Sequence, residues 1–156
     1  MDNQKGFTLF ELAGVLLILS ILSGIGIPLI TQLQNRILFR SEVSSLFIDL
    51  QRAKIAAIKN NAPVVITTSS NGYQIYVDNG FGHAIYGDWK KQPEEQLLAE
   101  KTLRGGITIT KHFTGKRCRF NSGIGIKGGT IELTDRFGNK SRIIINIVGR
   151  IRVQKL

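Results

Sequence analysis

The sequence predicts an α+β chain: one long N-terminal helix packed on a C-terminal antiparallel β-sheet domain. Three observations lead there. An apolar run extends from Phe7 to Ile30 and holds a single charge, Glu11, and a single proline, Pro28. A helical stripe follows, in which Leu46, Leu50, Ala53 and Ala57 step by four, three and four residues. After Pro63 the apolar period drops to two, as in strands.

The apolar run from Leu12 to Ile30 has the length of a membrane-crossing helix, which needs about 20 residues. Lys5 precedes it, so the N-terminus should stay on the cytoplasmic side. A cleaved secretory signal fits poorly. Its apolar core is about 7–15 residues long and its small cleavage residues follow that core, whereas Gly6 comes before this one. A plain anchor explains the length but gives Glu11 no partner, and a carboxylate is costly in lipid.

Gly6-Phe7-Thr8-Leu9-Phe10-Glu11-Leu12 resembles the type III signal of type IV pilins and type II secretion pseudopilins. The resemblance implies cleavage by a prepilin peptidase after Gly6 and N-methylation of Phe7. It also implies that Glu11 serves filament assembly. Pro28 falls where such chains carry a helix-kinking proline. The charge argument agrees: a new amine at Phe7 could pair with Glu11 of a neighbouring subunit. A helix that is apolar all round must be buried, first in lipid and then against copies of itself.

The implied organisation is a cleaved cytoplasmic leader (1–6), a transmembrane and filament-core helix (7–30), an amphipathic continuation (31–62) and a β-rich head (63–156). Asn60-Asn61-Ala62-Pro63 should stop the helix, because the residue before a proline avoids the helical region. Uninterrupted to Asn60, the helix would be about 80 Å long. Gly24, Gly26 and Pro28 should loosen or kink it.

In the head, Val64–Thr68 and Tyr73–Val77 read as paired strands about a turn at Ser69–Gly72. Residues 78–92 are polar, glycine-rich and aromatic, which suggests an ordered loop. Glu94–Leu103 is ambiguous. Ile107–Thr110, Arg117–Phe120, Thr130–Thr134, Arg142–Val148 and Arg150–Val153 have strand character, and Asp135–Asn139 reads as a hairpin connection. Six or seven strands are expected in all. Further matches narrow the resemblance to the GspH/FimT branch of pilins: Ala53, Ala57, Asn60 and Pro63-Val64; Phe120-Asn121-Ser122-Gly123; Gly129-Thr130-Ile131-Glu132-Leu133; and Gly149-Arg150-Ile151-Arg152-Val153. The branch implies a minor subunit of a type IV pilus or of a type II secretion pseudopilus. In FimT-like members the closing Gly-Arg-x-Arg motif is linked to DNA binding during natural transformation; in secretion members the same domain has a structural or substrate-contact role.

The net charge of +10 is concentrated at one end. Residues 101–156 hold thirteen basic side chains and two acidic ones, net +11; the first hundred hold eight and nine, net −1. Such asymmetry points to an acidic partner, with a solvated basic face as the alternative. By strand alternation Arg150 and Arg152 should project together, as should Arg117 and Arg119. Lys116, Arg142 and Lys155 would extend these into a phosphate-binding surface, giving double-stranded DNA as a partner without sequence preference. The other implied partners are fellow pilin or pseudopilin subunits, the prepilin peptidase and the inner membrane.

Nothing in the sequence points to catalysis or to a cofactor. Gly123-Ile124-Gly125-Ile126-Lys127-Gly128 spells a dinucleotide fingerprint, but a strand-like segment follows it where a helix would be needed. His83 and His112 lack acidic or cysteine neighbours at metal-ligand spacing. Cys118 is the only cysteine, which excludes an internal disulfide. It should face inward on its strand between the outward Arg117 and Arg119.

Overall fold

A computed structural model describes residues 8–121 and 128–156. The cleavage pair Gly6 and Phe7, most of the glycine-rich segment and Lys127 lie outside the described residues. One helix, α1 (Leu9–Lys59), precedes eight strands among the described residues. The chain divides into two compact units, Met1–Ile37 and Leu38–Leu156.

The first unit is the apolar part of α1. It is long and apolar enough to cross a membrane, and no residue of its most apolar stretch is buried. The helix continues through Pro28, so the expected kink does not interrupt the element. Pro28 carries no amide hydrogen and leaves the Gly24 carbonyl without its i+4 donor. Nearby hydroxyls fold back on the helix: Ser20 donates to the Leu17 carbonyl and Thr31 to that of Pro28.

In the second unit, Phe39, Val43, Leu46, Leu50, Ala53 and Ala57 are buried along one face of α1. The exit is a Schellman turn. Ala62 N–H reaches the Ala57 carbonyl and Asn61 N–H the Ile58 carbonyl, with Asn61 in the left-handed region at φ 46°. Asparagine tolerates that conformation better than most side chains, and Pro63 prevents a further helical turn.

The strands are β1 (Val64–Thr68), β2 (Gly72–Val77), β3 (Leu97–Thr102), β4 (Thr108–Lys111), β5 (Arg117–Phe120), β6 (Gly129–Thr134), β7 (Lys140–Ile145) and β8 (Ile151–Lys155). They form two antiparallel four-stranded sheets, in orders β3-β2-β1-β5 and β4-β6-β7-β8, one strand more than the six or seven expected. Both contribute to one core with α1: Ile66, Ile75, Cys118 and Phe120 from the first sheet, Ile131, Leu133, Ile143 and Ile145 from the second. The ambiguous Glu94–Leu103 stretch contains the edge strand β3. Its sequence LLAEKT suits a helix, but pairing with β2 overrides that local preference. Gly72 permits this pairing, because a Cβ there would lie 2.5 Å from the Lys101 carbonyl oxygen. The expected Asp135–Asn139 connection forms: Asp135 N–H donates to the Asn139 carbonyl, and Gly138 sits at φ 83°.

A charged cluster with a fully buried carboxylate lies within this unit. Glu42 on α1 is fully buried, and its carboxylate meets Arg104 Nε at 2.8 Å and Lys101 Nζ at 3.2 Å. Lys101 also donates to Ser45 Oγ at 2.7 Å. Strand β3 and the turn after it are thereby tied to the helix by charge as well as by apolar packing.

Candidate functional site

Two regions hold the residues singled out in the sequence. At the start of α1, Thr8 and Glu11 form a reciprocal capping box. Glu11 Oε2 accepts from Thr8 N and Thr8 Oγ1, both at 2.9 Å, and Thr8 Oγ1 accepts from Glu11 N at 3.2 Å. This satisfies amides that a helix start leaves open. Its signature, Thr-x-x-Glu, is visible in the sequence, yet the expectation for Glu11 considered only charge pairing between subunits. Glu11 therefore has a partner within its own chain.

The basic residues of the head do not form one patch. Arg117 and Arg119 lie on the outer side of β5, with Cys118 and Phe120 buried between and beyond them, as alternation predicts. The 78–96 loop crosses this side of the first sheet. Asp78, fully buried, accepts from Gly87 N at 2.8 Å and Trp89 N at 3.0 Å, and Tyr76 Oη donates to the Trp89 carbonyl. The Arg119 guanidinium stacks 4.4 Å from the Trp89 ring centroid. Burial pushes the Cys118 thiol up to about 12, which leaves it a core side chain rather than a nucleophile.

Arg142, Arg150 and Arg152 belong to the second sheet. The Asn146–Arg150 backbone bond continues the β7–β8 ladder by one step, so Arg150 keeps the parity of Arg152. Both are exposed and have no ion pair among the described residues. Ile147 and Val148, 74% and 70% exposed, stand at the tip of the same hairpin. Arg142 shares this face, but it donates to Glu132 Oε2 at 2.9 Å, and Lys140 lies 3.7 Å from the other carboxylate oxygen. The Arg142 hydrogen bond and the nearby lysines hold the Glu132 carboxyl below its ordinary range. Arg142 is therefore largely neutralised by its own sheet. Lys155 departs from the expected patch: it pairs in register with the buried Ser141, on the side of β8 opposite to Arg152. Lys116 is exposed at the end of the Thr114–Lys116 3₁₀ turn, where its carbonyl accepts from Thr68 Oγ1 at 3.2 Å.

The two histidines have local partners. His83 Nδ1 lies 3.3 Å from Glu94 Oε1, and His112 Nδ1 lies 3.0 Å from Thr68 Oγ1. Burial and the Lys116 charge lower the His112 pKa.

Residues 42–149 match the family described as Type II transport protein GspH. The chain belongs to the GspH family. Its residues 1–27 match the prokaryotic N-terminal methylation motif, a range that includes Gly6, Phe7 and Glu11. The chain is 32% identical to the pilin-like protein PilA1 of Thermus thermophilus over 119 residues, covering 65% of this chain and 75% of that protein. The fold is similar to that of the minor pseudopilin EpsH from the Type 2 Secretion System of Vibrio cholerae, with a TM-score of 0.55 at 11% identity over 74% of this chain and 95% of that one. The type IV pilin-like α+β fold expected from the sequence is thus observed. A GspH-family chain is a structural minor pilin or pseudopilin that assembles with other pilin subunits. Its apolar helix and methylation motif fit a single-pass membrane-anchored pilin. The GspH match ends at Gly149, so Arg150 and Arg152 fall just beyond it.

Proposed function

We propose that this chain is a non-enzymatic, FimT-like minor pilin of a type IV pilus that contributes to DNA binding and uptake through its basic C-terminal region. The observation that carries this reading is the pair Arg150 and Arg152, exposed on one side of a hairpin end and free of ion pairs among the described residues. They sit within a segment of net charge +11. Unpaired guanidinium groups on a rigid ladder suit phosphate oxygens, which need no sequence-specific geometry. Arg117 and Arg119 are secondary candidates on the other sheet. The full chain in nonionic detergent is expected to shift double-stranded DNA with a dissociation constant of about 10⁻⁴ to 10⁻⁶ M. In log–log form the affinity should fall with salt at a slope of about −0.9 per phosphate contact. Arg150→Gln with Arg152→Gln should weaken binding more than Lys90→Gln with Lys91→Gln, which removes the same charge from the 78–96 loop. Equal losses in the two double variants would reduce the arginines to ordinary surface charge.

A second reading is a structural pseudopilin of the H class in a type II secretion system. The fold shared with the minor pseudopilin EpsH favours it. Absence of any gel shift at low salt would favour this reading over DNA capture.

Under either reading we infer insertion in the inner membrane, with Lys5 on the cytoplasmic side and the head in the periplasm. A prepilin peptidase would cut between Gly6 and Phe7 and methylate Phe7. Intact-mass measurement of membrane-extracted protein is expected to give a chain starting at methylated Phe7. A full-length mass in a peptidase-positive host would contradict it.

A further inference from the structure

The β8 strand is a free sheet edge, and its hydrogen-bonding parity can be worked out from its ladder. Leu156 N–H donates to the Lys140 carbonyl and Asn146 N–H to the Arg150 carbonyl. Even-numbered residues of β7 and β8 are therefore the directly bonded pairs. The Asp135–Asn139 bond shows that β7 turns its odd-numbered residues to β6. The N–H and C=O groups of Ile151, Val153 and Lys155 consequently point away from β7, and no described residue pairs with them. The side chains of these same three residues face the helix side of the sheet.

Beside this edge runs a groove of about 230 Å³ between β8 and α1. Its floor is apolar, from Val43, the half-buried Phe47 and Val153, which is 41% exposed. Arg40 and Lys155 stand on its rim, both exposed, and neither has an ion pair among the described residues. Open backbone groups, an apolar floor and two unpaired cations thus occur along one line. Natural sheet edges are usually blunted by pairing, covering or inward charge. Here Lys155 is such an inward charge, and with Arg40 it disfavours a basic incoming strand while leaving the edge open to an acidic one.

We propose that β8 accepts an extended acidic segment of another pilus or secretion subunit by strand addition. The added strand would bond to Ile151, Val153 and Lys155 through its backbone. Alternate side chains would enter the groove, an apolar one over Val43 and Phe47 and a carboxylate between Arg40 and Lys155. Backbone bonds supply the affinity, and the two cations select acidic over basic segments. The proposal concerns the face of β8 opposite to Arg152 and stands independently of DNA binding.

The test uses the full chain, ¹⁵N-labelled in detergent micelles, titrated with the capped peptide Thr-Val-Thr-Glu-Thr and with Thr-Val-Thr-Lys-Thr. The glutamate peptide is expected to shift the amides of Val153, Lys155 and the Arg40–Phe47 turn saturably, and the lysine peptide to bind about fivefold more weakly or worse. Val153→Pro deletes an outward donor without touching the β7–β8 bonds and should weaken binding about tenfold. Arg40→Gln with Lys155→Gln, which leaves the backbone intact, should erase the preference for glutamate. Arg152→Gln, on the other face, should change neither. Lack of saturable shifts at β8, or equal affinity for both peptides, would overturn the proposal. So would loss of binding in Arg40→Gln/Lys155→Gln with none in Val153→Pro, since the groove would then be an anion-capped pocket and not a strand acceptor.

Discussion

Glu11→Ala is expected to leave the chain in the membrane while lowering its recovery in sheared filaments by about tenfold or more. Removing a charge from an apolar helix does not hinder insertion. It does remove the partner proposed for the Phe7 amine of a neighbouring subunit. The capping box adds a second explanation for such a loss, because Glu11 also holds Thr8 N and Oγ1 at the start of its own helix. Glu11→Gln separates the two. A glutamine at this position still closes a Thr-x-x-Gln box but brings no charge. If pairing between subunits governs assembly, Gln should fail as Ala does. If the helix start governs it, Gln should restore most of the incorporation. Shearing followed by immunoblotting reads both variants, and normal incorporation of Glu11→Ala would sink both roles together.

Removing both cations around Glu42 is expected to destabilise the head by about 3–5 kcal/mol, the range for leaving a buried charge without compensation. Glu42 is fully buried, whereas the Lys101 and Arg104 side chains are 29% and 67% exposed. The asymmetry sets the order of effects. Lys101→Ala should cost more than Arg104→Ala, since Lys101 is the less exposed and also bonds Ser45. Lys101→Ala with Arg104→Ala should cost most. Adding Glu42→Leu to that double variant should recover much of the loss, because an apolar side chain of similar volume needs no counter-ion. Denaturant midpoints followed by circular dichroism measure all four chains. A double variant within about 1 kcal/mol of the parent would mean that solvent reaches Glu42 and that the cluster is an ordinary surface pair.

Much of the local architecture was legible in residue order. The Leu46–Ala57 stripe identified the buried face of α1, since a 3.6-residue period is a property of the helix itself. Asn60–Pro63 marked the helix end through a local preference, since the residue before a proline avoids the helical region, and the structure adds the left-handed Asn61 that closes the turn. Alternation at Arg117–Phe120 separated inward from outward side chains, and Asp135–Asn139 announced its own turn. The Gly6-to-Glu11 spacing likewise pointed to the N-terminal methylation motif that residues 1–27 match.

What residue order left open depends on partners distant in the chain. Alternation tells which side of a strand a residue takes, but not which sheet the strand joins. The expected basic patch therefore separated in space: Arg119 stacks on Trp89 beside the first sheet, Arg142 is neutralised by Glu132 on the second, and Lys155 faces a groove beside α1. Strand β3 formed against its helix-favouring sequence because β2 offered an edge and Glu42 offered a charge to Lys101. In each case the deciding energy is a contact between segments tens of residues apart. Local periodicity carries no information about such contacts, and only the folded arrangement of both sheets around α1 supplied them.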